Sequence, residues 1–171
     1  MNNVDVNNMP ETANNGEGSV RLTKKERHSA ILRYMTMGVN NFNYETQQGP
    51  SIVWAFSKVL RKIYPKDDDY IAALDNHFQY FNTTTAMANL ILGATLAMEE
   101  REGIKSKDAV QSLKTSLMGP LAGVGDTIIW ILLPTIMGSI AGYMGLQGNS
   151  LGAVIWIAIN ILMFWVGKLQ V

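Results

Sequence analysis

From residue 22 to residue 81 the apolar positions recur every three to four residues, the spacing of helices with one buried face. Thr23-Lys-Lys-Glu26 reads as a capping box, in which a hydroxyl and a carboxylate satisfy free N–H groups at a helix start. Ile31, Leu32, Met35 and Val39 then form one face, and Asn40-Asn-Phe-Asn43 interrupts it. A second stripe follows Pro50: Ile52, Phe56, Val59, Leu60 and Ile63, flanked by Lys58, Arg61 and Lys62 and closed by Tyr64-Pro65. Asp67-Asp-Asp69 marks the start of a third helix, where the helix dipole favours anions. Ile71, Leu74, Phe78 and Phe81 are its expected inner side.

Beyond residue 85 the pattern changes. Ala86 to Met98 is apolar nearly all round, within a fourth helix expected over Ala86 to Glu102 with Asn82 or Thr83 as its cap. It falls short of the roughly 20 residues needed to cross a bilayer. It is therefore expected to be buried against protein or to dip into the membrane interface. Gly103 closes it, and Ser106 to Leu117 reads as a short polar helix. Thr127 to Leu146 and Leu151 to Gly167 are long apolar runs joined by Gln147-Gly-Asn-Ser150, a turn signal. Together they predict a transmembrane hairpin. Gly138-Ser-Ile-Ala-Gly142 is a GxxxG, a spacing that lets helices approach closely in lipid. Asn160, midway along the second run, is expected to hydrogen-bond to a neighbouring helix.

Charge sharpens the division. The chain has 14 Lys and Arg, 14 Asp and Glu, a net charge of zero and 47% hydrophobic residues. That average hides two unlike halves, because residues 127–167 carry no charge at all. Basic residues crowd the N-terminal side, so the positive-inside rule places that side in the cytoplasm and the turn outside. The predicted class is an all-α membrane protein with cytoplasmic amphipathic helices and a C-terminal transmembrane helical hairpin. Its expected parts are a disordered tail (1–20), a cytoplasmic or interfacial helical region (21–116), a broken-helix segment (117–126) and the hairpin (127–171). The tail lacks the apolar stretch of a signal peptide. Balanced charge gives no case for nucleic acid. Cysteine is absent, and His28 and His77 lack partners at ligand spacing, so neither a metal site nor a cofactor is expected.

One charge lies within the apolar half's entrance: Asp126, ending Leu117-Met-Gly-Pro-Leu-Ala-Gly-Val-Gly-Asp126. A carboxylate at membrane depth is costly and marks a functional site by default. Asp126 also reads as the N-cap of the following apolar helix. Gly119, Pro120, Gly123 and Gly125 argue for a kinked backbone, as at the broken helices where transporters bind their cargo. Gly123-Val-Gly125 follows no strand and is no nucleotide loop. Phe81-Asn-Thr-Thr-Thr85 concentrates hydroxyls and an amide suited to a helix cap or to a sugar. Glu99-Glu100 reads as a solvated helix end, with Arg101 available to pair.

These stretches resemble, in order and spacing, the IID subunit of the mannose-type (mannose/fructose/sorbose) phosphotransferase system. The matching segments are Leu22-Thr-Lys-Lys, Asn43-Tyr-Glu45, His77 to Thr83, Ile91-Leu-Gly93, Ala97 to Glu100 and Leu117 to Asp126. The resemblance implies a non-catalytic subunit of the bacterial inner membrane. It implies pairing with a IIC subunit in an oligomer of IIC–IID units, surrounded by lipid. It also implies uptake of a hexose or related sugar, phosphorylated through cytoplasmic IIA and IIB carriers. Asp126, Asn82, Thr83 and the glycines with Pro120 are then the candidates for the sugar path. Asn43, Tyr44, Glu45, Glu99 and Glu100 are candidates for partner or fold contacts, and Gly138, Gly142 and Asn160 for helix packing. Members usually run longer and carry Arg-Pro where this chain has Leu133-Pro134. A shortened scaffold that binds IIC without moving sugar, and a small oligomeric pore, stand as competing readings.

Overall fold

The structure, a computed structural model, describes residues 20–38 and 40–169, with side chains described up to residue 162. Residues 1–19 of the expected 1–20 tail, and Val39, lie outside the described residues. Among the described residues seven α-helices follow one another: α1 Lys24–Met37, α2 Gly49–Ile63, α3 Asp67–Phe78, α4 Thr85–Glu102, α5 Lys107–Asp126, α6 Leu133–Leu146 and α7 Leu151–Leu169. A 3-10 turn, Gly103–Ser106, joins α4 to α5, and a π-helical segment, Thr127–Leu132, joins α5 to α6. The described residues contain no strand, only isolated bridges from Gln47 to Asn43 and Phe81.

Helix α1 starts where its sequence dictates. The Thr23 hydroxyl accepts from the Glu26 N–H at 3.3 Å, and the Thr23 N–H donates to the Glu26 carboxylate at 2.7 Å, completing the box. Helix α2 buries Ile52, Phe56, Val59, Leu60 and Ile63, its full predicted stripe. With Tyr34 from α1 and Ile91, Leu92 and Leu96 from α4, these form the core of a helical body.

Helix α3 keeps part of its predicted face, since Leu74 packs against the core, and departs from the rest. Ile71 is 61% exposed and Phe78 42% exposed, whereas Ala73, Asn76 and His77 point inward. Phe81 is fully buried but lies beyond the helix. The polar residues win the interior because α5 supplies an acceptor for the Asn76 amide and α4 a partner for the His77 Nε2. Residues 117–126 correct a second expectation: no break occurs there. Pro120 and the glycines sit inside α5, which runs unbroken to Asp126. A proline costs a helix one N–H and one carbonyl partner, and Pro120 is exposed, where that loss is tolerated. The irregularity falls one turn later, in the π segment.

Helices α6 and α7 pack against each other across a tight turn. The run from Thr85 to Leu146 contains an 18-residue window of mean hydropathy 1.6, none of it buried within the chain. The hairpin uses small residues to close. A Cβ added at Gly152 would lie 2.6 Å from the Ala141 carbonyl oxygen, and one at Gly138 would meet the Trp156 ring at 3.8 Å. Gly142, the other half of the GxxxG, faces open space. Within the chain the Asn160 amide donates to the Trp156 carbonyl of its own helix at 2.8 Å.

Candidate functional site

Asp126 ends α5 at the point where the body gives way to unburied apolar helix. It is not an N-cap: its backbone is helical on both sides. Its Oδ1 accepts a hydrogen bond of 2.6 Å from the Thr84 hydroxyl, which also reaches the Ala122 carbonyl at 3.3 Å. Thr84 is the N-cap residue of α4, and its side chain makes no capping bond because it is turned to α5 instead. Gly125 makes this crossing possible. A Cβ there would lie 2.5 Å from the Thr84 Oγ1 and 2.9 Å from Met87, so only glycine admits so close an approach. Gly119 and Gly123 meet nothing within 4 Å and lie on α5's open side.

The residues before Thr84 are fixed from behind. The Gln48 side-chain amide donates to the Thr83 carbonyl at 2.7 Å, while its oxygen accepts from the buried Tyr34 hydroxyl at 2.7 Å. Burial pushes the Tyr34 phenol well above its ordinary range. Thr83 is buried and its hydroxyl has no partner among the described residues, whereas Asn82 is exposed. Thr83 and Asn82 thus flank the contact, and Thr84 makes it. The run of hydroxyls at 83–85 was visible in the sequence; which of them crosses to α5 was not.

Glu99 and Glu100 correct the expectation of a solvated helix end: both are buried. Glu100 holds Arg27 through two bonds, of 3.0 and 3.1 Å, and Arg101 is exposed. Glu99 accepts from the Tyr64 hydroxyl at 3.2 Å and lies 3.0 Å from the His77 Nε2. Burial first, and the Glu99 charge second, raise the Tyr64 phenol. His77 is fully buried, edge-on to Phe56. Lys114 of α5 is fully buried beside this group, and burial lowers its ammonium to about 8 against the pull of the Glu99 charge. Asn43 holds a turn, its carbonyl oxygen accepting from the N–H groups of Glu45 and Thr46 at 2.9 and 2.7 Å. Tyr44 and Glu45 stand exposed at its tip. Among the described residues no group of three or more His, Cys, Asp or Glu is placed to hold a metal ion.

An all-helical body, an apolar hairpin the chain itself leaves uncovered, and one carboxylate at their junction define a helical membrane protein. Residues 21–171 match the model of the PTS system mannose/fructose/sorbose family IID component, and the chain belongs to that family. It is 35% identical over 154 residues to the sorbose-specific EIID component of Klebsiella pneumoniae, covering 86% of this chain and 56% of that protein. It is 33% identical to the fructose permease IID component of Bacillus subtilis, over 82% of this chain and 52% of that one. The mannose-specific EIID component of Escherichia coli K12 is 31% identical, over 80% and 49%. The fold is similar to a chain of the mannose transporter ManYZ solved with microcin E492, at a TM-score of 0.73 and 27% identity. That likeness covers 86% of this chain and 56% of the other. The chain therefore spans about half the length of the relatives it matches.

Proposed function

We propose that this IID component forms, with a IIC subunit, a sugar-translocating unit in the bacterial inner membrane, and that Asp126 is a polar group on the sugar path. The Thr84–Asp126 contact carries the reading. Thr84 occupies one carboxylate oxygen, and no other hydrogen bond reaches the carboxylate from the described residues. An acceptor held this way suits a sugar hydroxyl, which needs a fixed partner where water is scarce. Family membership supplies the chemistry of the cargo, and the mannose, fructose and sorbose named for the relatives indicate a hexose class. Asn82 and Thr83 flank the path, while Gly119, Pro120 and Gly123 form a side-chain-poor face of α5 for close approach of the partner. The N-terminal part, which holds 13 of the 14 Lys and Arg residues, lies on the cytoplasmic side in this reading, the side that the positive-inside rule favours. The exposed Tyr44–Glu45 tip is then free to meet the phosphocarrier IIB, and the sugar receives its phosphoryl group through IIA and IIB rather than from this subunit.

The test is sugar uptake in cells supplying IIA, IIB and IIC together with this chain. Asp126→Ala is expected to lower uptake about 10- to 100-fold, the range for losing a charged hydrogen-bond partner, with membrane levels unchanged. Undiminished uptake in that variant would remove Asp126 from the path. No uptake with the wild-type chain, alongside intact co-purification with IIC, would leave the scaffold reading.

A further inference from the structure

Helix α5 grips the connection between α3 and α4 at two points. Toward its C-terminal end, Asp126 and the Ala122 carbonyl hold Thr84. Twelve residues earlier, about 18 Å along the helix axis, Lys114 reaches the other end of the same connection. Its Nζ donates to the carbonyls of Asn76 at 3.0 Å and His77 at 3.4 Å, in the last turn of α3. Carbonyls at a helix C-terminus have no partner within the helix and favour a cation. The Asn76 amide returns the contact by donating to the Lys107 carbonyl at 3.0 Å. Lys114 also lies 5.8 Å from the centre of the Phe81 ring.

The stretch between the two grips has little freedom of its own. The Phe81 N–H donates to the Thr46 carbonyl at 3.3 Å, and the Gln48 N–H donates to the Phe81 carbonyl at 2.9 Å. These bonds tie it to the turn before α2. Among the described residues no other side chain of α5 hydrogen-bonds to the end of α3; the one further bond between them runs from the Asn76 side chain to the Lys107 backbone. Burying an ammonium is expensive, and Lys114 tolerates it because two carbonyls accept its hydrogen bonds while Glu99, bonded to His77, supplies the opposite charge. An apolar residue would fill that space without the desolvation cost, so the cation is explained by what it holds.

We propose that Lys114 is a positioning residue: buried on α5, it fixes the end of α3 so that the following connection presents Thr84 to Asp126. Its consequence for transport rests on the reading of Asp126 above; its consequence for the connection does not. The full chain in detergent micelles, followed by hydrogen–deuterium exchange, separates the two. Lys114→Met should speed exchange of the amides at 79–84 about tenfold, the scale of one lost buried hydrogen bond. Exchange in α1, α6 and α7 should stay as in the wild type. Lys114→Gln keeps an N–H donor and should restore protection to within about threefold of the wild type. Unchanged exchange at 79–84 in Lys114→Met would overturn the proposal, and so would an equal rise across α1 to α4. In uptake assays, Lys114→Met with Thr84→Val should be no worse than the weaker of the two single variants, since both act through one contact. Additive losses would also overturn it. If the wild-type chain moves no sugar, the transport reading fails while the exchange result still decides the role of Lys114.

Discussion

The helical body and the apolar hairpin solve opposite problems with the same secondary structure. In the body, Tyr34, Phe56 and Ile91 are fully buried by the chain itself, and its interior charges each have a partner: Glu100 with Arg27, and Glu99 with His77. In the π segment and the hairpin, Trp130 is 70% exposed, Ile136 54% and Val154 59%. The body carries its own core. The hairpin waits for lipid or a partner subunit to cover it, and it contributes small residues where its two helices meet. Deleting the same amount of apolar side chain should therefore have very different costs in the two regions. Ile52→Ala, at a fully buried isoleucine of α2, is expected to lose about 2–5 kcal/mol, the range for a large core truncation. Ile136→Ala should lose under ~0.5 kcal/mol. Thermal unfolding of both variants in the same detergent measures the difference, and similar losses would erase the distinction between the regions.

Titration sharpens the same contrast, because the buried ionisable groups lie in the body. Lys114 releases its proton near pH 8 when folded but near its ordinary 10.5 when unfolded. Between those values the unfolded chain binds more protons, so stability rises with pH. The rise ends near pH 10, where the unfolded chain begins to lose tyrosine protons that burial retains on Tyr34 and Tyr64. A gain of about 2–3 kcal/mol from pH 8 to 10 is expected. It should appear in unfolding curves of the wild type and vanish in Lys114→Met.

The sequence was most readable where one element decides its own structure. The capping box at Thr23 and the stripe of α2 need no knowledge of any other helix, and both are present as written. The hairpin's two runs and its turn were equally local. His77, Glu99 and Glu100 could not be placed because each is buried by virtue of a partner 22 to 78 residues away. Hydrophobic period registers a residue's polarity and is blind to its partners, so of the inner side expected for α3 Leu74 packs on the core while Ile71 and Phe78 do not, and Asn76 and His77 were missed. The same limit explains Asp126. Its isolation in an apolar stretch was plain, while Thr84, 42 residues earlier, was one hydroxyl among several. Proline and glycine suggested a break that α5 does not make, because Gly125 serves helix crossing rather than bending.

The smallest effect compares the helix starts of the two regions. At α1, Thr23 and Glu26 satisfy one another's N–H groups, and Lys62 of α2 joins the Glu26 carboxylate at 3.0 Å. At α7, Asn149 alone accepts from the Leu151 N–H at 3.0 Å, at an exposed turn. Thr23→Ala should cost about 1 kcal/mol. Asn149→Ala should cost less, since water at an exposed turn can replace the lost acceptor. The Thr23 N–H foremost, with help from Lys62, holds the Glu26 carboxyl below its ordinary value near 4.5. The folded chain therefore keeps that carboxyl ionised where the unfolded chain protonates it. The resulting stability is present above pH 4.5 and is lost as pH falls through the lowered value. Part of the Thr23→Ala deficit should accordingly shrink as the medium is acidified, while the Asn149→Ala deficit should not change. The variant keeps the Thr23 N–H and loses only the hydroxyl's own bond to the carboxylate at 2.9 Å, so unfolding curves of both variants at pH 7 and pH 3.5 test this, and a Thr23→Ala deficit independent of pH would show that the Thr23 hydroxyl stabilises α1 through the Glu26 N–H alone.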